Sequence, residues 1–270
     1  DAMIEQLPNA TSMMGVPTFY TRLLGDERFT RELVSHMRLF VSGSAPMLAE
    51  THVQFEQRTG QRILERYGMT ETNMNTSNPY DGERRPGSVG FPLPGVEVKI
   101  TDPESGAVLD DGDTGMIEVR GPNVFLGYWR KPEKTALELR ADGFFITGDM
   151  GKIDADGYLY ILGREKDLVI SGGYNIYPKQ IESEIDALDG VIESAVFGIP
   201  DADLGEVVAA AVVLEPGARL GAQELLEALQ PLLARFKLPR KVEFVDELPR
   251  NAMGKVQKNV LRETYAGTDR

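Results

Sequence analysis

The sequence predicts an α/β chain, with a parallel-sheet region, an antiparallel and barrel-like subdomain after it, and a small α+β domain at the carboxyl end. Three observations carry this expectation. Strand and helix signals alternate early in the chain, apolar residues alternate from Gly87 onward, and a fresh series of helices and strands follows Pro178.

Met37-Arg38-Leu39-Phe40-Val41 reads as a buried strand, residues 48–58 as a helix ending near Gly60, and Ile63-Leu64 as the next strand. A strand-helix-strand unit implies parallel strands. Ligands of such sheets sit beyond the carboxyl ends of the strands, where Ser42-Gly43-Ser44-Ala45-Pro46 and a loop over residues 67–71 are expected to flank one ligand. Val96, Val98 and Ile100 then share one strand face, and Ile117 and Val119 form a second run, as in an antiparallel or barrel-like subdomain. Ile153 and residues 158–162 flank the turn-forming Asp154-Ala155-Asp156-Gly157, which predicts a hairpin. A helix from Pro178 carries Ile181, Ile185 and Leu188; strands follow at 194–199 and 207–214, a helix at 222–233, a strand at 242–245 and a last helix after Gly254. The boundary is expected near Lys166-Asp167, giving domains of residues 1–165 and 166–270.

The 270 residues are 41% hydrophobic, enough for one large or two ordinary soluble domains. A net charge of -13 argues against nucleic-acid binding, because phosphate backbones select clustered Lys and Arg. With no cysteine, a disulfide framework, a thiolate zinc site and a cysteine nucleophile are excluded, and a reducing cytoplasm is the expected location. The longest apolar run, residues 207–214, is too short to cross a bilayer, and Asp1-Ala2-Met3-Ile4-Glu5 lacks the basic start of a signal peptide. No repeat, low-complexity tract or glycine-rich phosphate loop ending in lysine is present. His36 and His52 have no metal-ligand spacing or nucleophile partner and are assigned no role.

Arg66-Tyr67-Gly68-Met69-Thr70-Glu71 places a ring, a hydroxyl and a carboxylate together. A ring stacks on a purine, a hydroxyl bonds a phosphate oxygen, and a carboxylate holds a magnesium ion that phosphates share. Each residue type also has an ordinary use. Tyr67 suits a core, Thr70-Glu71 a helix cap, Asp149 a turn after Gly148, Arg164 an ion pair with Glu165 or Asp167, and Lys255 a solvated surface. Ser171-Gly172-Gly173 taken alone is a loop.

The hexapeptide has company in a fixed order. Ser42 to Pro46 precede it; Gly87-Ser88-Val89-Gly90-Phe91-Pro92, Gly127-Tyr128-Trp129-Arg130-Lys131-Pro132-Glu133 and Asp142-Gly143-Phe144-Phe145-Ile146-Thr147-Gly148-Asp149 follow. Gly163-Arg164-Glu165-Lys166-Asp167, Ser171-Gly172-Gly173-Tyr174-Asn175-Ile176 and Pro249-Arg250-Asn251-Ala252-Met253-Gly254-Lys255 complete the set. This ordered set resembles the adenylate-forming superfamily of acyl-CoA synthetases, firefly-type luciferases and carrier-protein adenylation domains, over nearly the whole chain. The superfamily's phosphate loop lies upstream of everything matched. The chain thus resembles the carboxyl-terminal part of a longer enzyme, beginning inside its large domain, and is expected to be inactive alone.

The resemblance implies a role for each matching residue. Tyr67 stacks on adenine with Ser44, Ala45 and Pro46 over the other face; Thr70 bonds the α-phosphate; Glu71 holds Mg2+; Asp149 accepts from the ribose hydroxyls, as an acceptor-only carboxylate can; and Arg164 contacts ribose or phosphate with its planar donor fork. Lys255 enters the active site and stabilises charge as a carboxylate attacks the α-phosphate of ATP. Lys166 is the hinge for a second orientation in which coenzyme A attacks, and Gly172, Gly173 and Tyr174 line the pantetheine tunnel. A lysine acetyltransferase acting on Lys255 is a further partner the resemblance implies.

Arg66 is the residue expected to select the acid. A guanidinium at an acyl pocket gains nothing from an aliphatic chain and much from a second substrate carboxylate, unless a salt bridge to Glu65 or Glu71 occupies it. The segment from Glu65 through Asn78-Pro79 resembles malonyl-CoA synthetases, in which Met74 borders the pocket. The expected activity is ligation of malonate or methylmalonate to coenzyme A through an acyl-adenylate. A domain loading a carrier protein, or a non-catalytic nucleotide-binding fragment, stays open at this point.

Overall fold

The structure is a computed structural model that describes residues 2–45, 47–251 and 254–266. It divides into two compact units, Asp1–Ile161 and Leu162–Arg270.

The first unit opens with α1 (Ala2–Gln6), β1 (Ser12–Gly15), α2 (Pro17–Leu24), α3 (Arg31–Val34), β2 (Leu39–Ser42), α4 (Ala49–Thr59), β3 (Leu64–Met69), β4 (Asn73–Ser77) and β5 (Phe91–Pro92). The five strands form one sheet in the order β1-β2-β3-β4-β5. Pairing is parallel from β1 to β3, as the strand-helix-strand pattern predicts, with Gly15 beside Ser42 and Ser42 beside Glu65. The carboxyl ends of three strands therefore lie side by side. α4 stops at Gly60, whose φ of 73° only glycine adopts at ease, and its amide bonds Glu56 O at 2.7 Å. Phe55 of α4 centres the core beneath, meeting Tyr20, Phe29 and Phe40 at ring distances of 5.5, 5.7 and 4.9 Å. Each such aromatic pair contributes about 0.5–1.5 kcal/mol beyond its buried area.

β3 runs farther than the apolar pair Ile63-Leu64 suggests. Antiparallel pairing with β4 sets Arg66 against Ser77, Tyr67 against Thr76 and Gly68 against Met74, with a bulge between Tyr67 and Gly68. Residues expected in a loop, Tyr67 through Met69, are thus strand, and only residues 70–72 form the turn. Gly68 permits this hairpin because a Cβ there would sit 2.0 Å from Asn73 O.

β6 (Glu97–Thr101), β7 (Gly115–Arg120), α5 (Pro132–Glu138), β8 (Phe145–Ile153) and β9 (Leu159–Arg164) follow. The alternation predicted here is real: Val98 faces Val119 and Ile100 faces Ile117. The four strands nevertheless make an open sheet in the order β6-β7-β8-β9, not a barrel, since so few strands cannot supply the tilt and stagger that closure needs. Asp154 to Gly157 turn the expected hairpin, with the Asp154 amide on Tyr158 O at 3.0 Å.

In the second unit, β10 (Val169–Ser171) and β11 (Tyr174–Ile176) lead into α6 (Pro178–Asp186), β12 (Val191–Asp201), β13 (Gly205–Leu214), α7 (Ala222–Leu229), β14 (Lys241–Phe244) and α8 (Lys258–Tyr265). The sheet order is β11-β10-β13-β12, with β14 parallel to β13. Alternate residues of β13 enter two separate cores: Val208, Ala210 and Val212 join Ile181, Ile185, Leu225 and Leu229, whereas Val207, Ala209, Ala211 and Val213 join Leu248 and Leu261. Burial of both faces explains the continuous apolar run seen in the sequence. α7 ends at Leu229 rather than at 233, because Pro231 lacks the amide a continuing helix needs.

Candidate functional site

Arg66 lies where the parallel strands end. Its Nη2 is 2.8 Å from Sδ of Met14 on β1, and its backbone passes so close to Gly43 that a Cβ there would fall 3.3 Å from Arg66 O. Neither salt bridge open to it in the sequence forms. Glu65 points to the other side of β3 and accepts from Nδ1 of His52 at 3.0 Å and from the Gly87 amide at 3.2 Å, while Glu71 engages Tyr128. Among the described residues Arg66 has no carboxylate partner. Burial pushes the Glu65 carboxyl up against the opposing effect of His52, which ties α4 to β3 behind the site. His52, given no role from sequence, thus has a structural one.

Beside Arg66, the loop after β2 carries Ser44 at φ 69°, a left-handed conformation that a non-glycine residue adopts only under local constraint. Ser44 and Ala45 are exposed; Pro46 lies outside the described residues. Met74 is partly buried on β4, opposite Gly68.

Tyr67 and Asp149 come together. The Tyr67 hydroxyl donates to Asp149 Oδ2 at 2.5 Å, joining β3 of the first sheet to β8 of the second. Tyr67 is 7% exposed and packs with Ile100, Ile117, Val119 and Leu159, so most of its ring is core and only a small part is open for a base to stack on. Asp149 is 5% exposed and sits inside β8 with its amide on Thr147 Oγ1, so it is not the turn residue its neighbour Gly148 suggests.

Thr70 is exposed at the tip of the β3–β4 turn, and Glu71 follows it. This is a hairpin, so the helix-cap reading of Thr70-Glu71 fails. Two contacts fix Glu71: its carbonyl accepts from the Phe125 amide at 2.8 Å, and its Oε1 lies 3.1 Å from the Tyr128 hydroxyl. Glu138 Oε2 lies closer to that hydroxyl, at 2.5 Å, and competes with Glu71 for the single phenol proton. Burial first, then the two carboxylates, pushes the Tyr128 phenol up, so it remains a donor at neutral pH. No group of three or more His, Cys, Asp or Glu that could hold a metal ion exists among the described residues. One carboxylate suits Mg2+ carried by nucleotide phosphates, since Mg2+ takes one or two protein carboxylates and keeps phosphate and water for the rest.

The second unit holds the other candidates. Arg164 ends β9 and is exposed, and Lys166 is exposed in a short 3-10 turn, Glu165–Asp167. Asp167 pairs with Arg262 at 3.2 Å. Gly172 and Gly173, at φ 56° and 84°, make the two-residue turn between β10 and β11. That turn requires both glycines; a Cβ on Gly172 would also come within 3.2 Å of the Leu204 side chain, whereas one on Gly173 meets nothing within 4 Å. Tyr174 beyond them stacks on Phe236 at 4.4 Å and 19°. Phe236 was not singled out by sequence, nor were Tyr128 and Glu138, although Tyr128 stands in one of the quoted motifs. Lys255 is exposed and tied to Asn251: the Asn251 amide bonds Lys255 O and the Lys255 amide bonds Asn251 Oδ1, both at 3.0 Å. Arg250 bonds Gly254 O at 2.8 Å and forms an ion pair with Glu193. Ala252 and Met253 lie outside the described residues.

Known proteins match these two units in order. The family described as AMP-binding enzyme matches residues 2–129, and AMP-binding enzyme C-terminal domain matches residues 180–255. A long-chain-fatty-acid–CoA ligase of Bacillus subtilis is 40% identical over 94% of this chain and 45% of its own length. A malonate–CoA ligase of Arabidopsis thaliana is 41% identical over 94% of this chain and 44% of its own. The crystal structure of ATP-bound MatB from Rhodopseudomonas palustris superposes with a TM-score of 0.96 at 64% identity, covering 99% of this chain and 53% of that one. The chain spans about half the length of the relatives it matches.

Proposed function

The chain belongs to the AMP-binding, adenylate-forming enzymes, and we propose that it is part of an ATP-dependent carboxylic acid:CoA ligase acting on malonate, or on its methyl homologue, through an acyl-adenylate. The fatty-acid and malonate ligases among the curated relatives match about equally well and do not choose the acid, whereas the 64% identity to MatB stands well above both. The observation that carries the choice is Arg66, a guanidinium at the carboxyl ends of the parallel strands with no carboxylate partner among the described residues. A dicarboxylic acid supplies that partner with its distal carboxylate and leaves the other free to react.

In this reading residues 1–165 are the later part of the nucleotide- and acid-binding domain and residues 166–270 the small domain. Tyr67 lines the adenine site with Ser44, Ala45 and Pro46, Asp149 and Arg164 receive the ribose, and Thr70 bonds the α-phosphate. Glu71 holds Mg2+, which when bound screens phosphate charge. An oxygen of malonate attacks the α-phosphorus, the bond to pyrophosphate breaks, and Lys255 offsets the charge that develops. The thiolate of coenzyme A then attacks the acyl carbon and AMP leaves; Lys166 serves as hinge between the steps, and Gly172, Gly173 and Tyr174 border the thiol arm. Among the described residues no helix is long and apolar enough to cross a membrane, and a cytoplasmic location belongs to the proposal. So does acylation of the exposed Lys255 by a lysine acetyltransferase.

Malonate-dependent ATP–pyrophosphate exchange by the full protein, followed by product analysis with coenzyme A, tests the assignment. Malonyl-CoA is the expected product. Exchange without transfer to free coenzyme A, but with transfer to a phosphopantetheinyl protein, would replace it with carrier loading.

A further inference from the structure

We propose that Tyr128 and Glu138 are positioning residues for Glu71, holding one of its carboxylate oxygens so that the other faces a divalent cation. The inference rests on reading Glu71 as the carboxylate that meets the cation shared with the nucleotide phosphates. Its geometry is that of a three-member relay. The Tyr128 hydroxyl lies 3.1 Å from Glu71 Oε1 and 2.5 Å from Glu138 Oε2. A phenol has one proton, so it donates to one carboxylate at a time; Glu138, on the shorter contact, fixes the hydroxyl beside Glu71, where it can donate to Oε1.

The ring that carries the hydroxyl is itself held. Phe125 meets it edge-on at 4.8 Å, and the Tyr128 amide bonds Thr135 Oγ1 at 2.9 Å. Lys134 Nζ sits 4.2 Å over the ring and 3.6 Å from Glu138 Oε1. The Phe125 amide, three residues from Tyr128, takes the Glu71 carbonyl. One short segment therefore fixes both the main chain and the side chain of Glu71. α5 buries none of its own residues; its contribution here is to supply Glu138, Lys134 and Thr135 to this arrangement.

The test is Mn2+ binding, read by electron paramagnetic resonance, in the full protein with a non-hydrolysable ATP analogue. Tyr128→Phe and Glu138→Ala are each expected to weaken Mn2+ binding about tenfold, as loss of groups that orient a metal ligand does, while metal-free analogue binding stays within about twofold. Glu138→Gln, which keeps an oxygen to accept from the phenol, should retain most of the affinity. In a Glu71→Gln background, Tyr128→Phe should add nothing. If Glu71→Gln weakens Mn2+ binding and neither Tyr128→Phe nor Glu138→Ala does, the positioning role is overturned and the cation reading stands. If Glu71→Gln has no effect, the cation reading falls and takes the positioning role with it. Should Tyr128→Phe fail to fold, the contrast between Glu138→Ala and Glu138→Gln decides.

Discussion

Tyr67 and Asp149, 82 positions apart in sequence, share one hydrogen bond of 2.5 Å between two nearly buried side chains. The adenine and ribose roles proposed for them are therefore not independent. Tyr67→Phe removes a donor from a buried carboxylate and should cost about 1–3 kcal/mol of stability. It should also weaken ATP binding, although the ring is kept. Urea unfolding and calorimetric titration with ATP check both; an unchanged ATP affinity would separate the two residues.

Gly68 is fixed by sterics. A Cβ 2.0 Å from Asn73 O cannot be accommodated without opening the hairpin that presents Thr70 and Glu71. Gly68→Ala should cost about 3 kcal/mol, at the upper end for forced overpacking. Soluble yield and thermal unfolding measure it, and a wild-type melting curve would contradict the hairpin register.

Asp186 gives the small unit a pH dependence. Burial pushes its carboxyl up from the usual 3.8 to about 7, against the opposing pull of Lys179 and of the Ser194 hydroxyl that donates to it at 2.7 Å. The folded state therefore holds a proton that the unfolded state has lost across that window, so stability falls as pH rises from 3.8 toward 7 and levels off above it. Asp186→Asn should add stability above this window and none below it. Urea unfolding at a series of pH values reads the difference; parallel pH profiles would show that Asp186 titrates normally.

Lys255 stands exposed, its amide bonded to Asn251 Oδ1 and the preceding Gly254 carbonyl bonded by Arg250. Lys255→Ala should lower the adenylation rate about 10²–10³-fold, the usual loss of one preorganised donor, while thiolysis of supplied acyl-adenylate continues. Equal loss in both half-reactions would remove its selective role.

What sequence could show followed physical signal. The β13 run and α6 were visible because burial of two faces, or of one helical stripe, leaves an apolar pattern. β4 was not: Asn73-Met74-Asn75-Thr76-Ser77 is rich in turn-forming types, and it becomes a strand only through its neighbours, which bury Asn75 and Thr76 completely. The β10–β11 hairpin was within reach, since Gly172-Gly173 between β-forming residues is a two-residue turn signal. Among the site residues, the motifs brought Tyr67, Glu71 and Asp149 to notice singly. The Tyr67–Asp149 bond, the Tyr128 bridge and the His52–Glu65 pair depend on contacts between separate elements, which no local pattern encodes.

The central claim is that Arg66 reads a second carboxylate. Steady-state kinetics of the full protein with malonate, acetate and butyrate, for wild type and Arg66→Ala, test it most directly. Loss of one desolvated charge pair costs about 2–5 kcal/mol, so kcat/KM for malonate should fall at least about 30-fold while the monocarboxylates change little. An equal fall for all three acids would contradict the dicarboxylate assignment and leave Arg66 a structural residue.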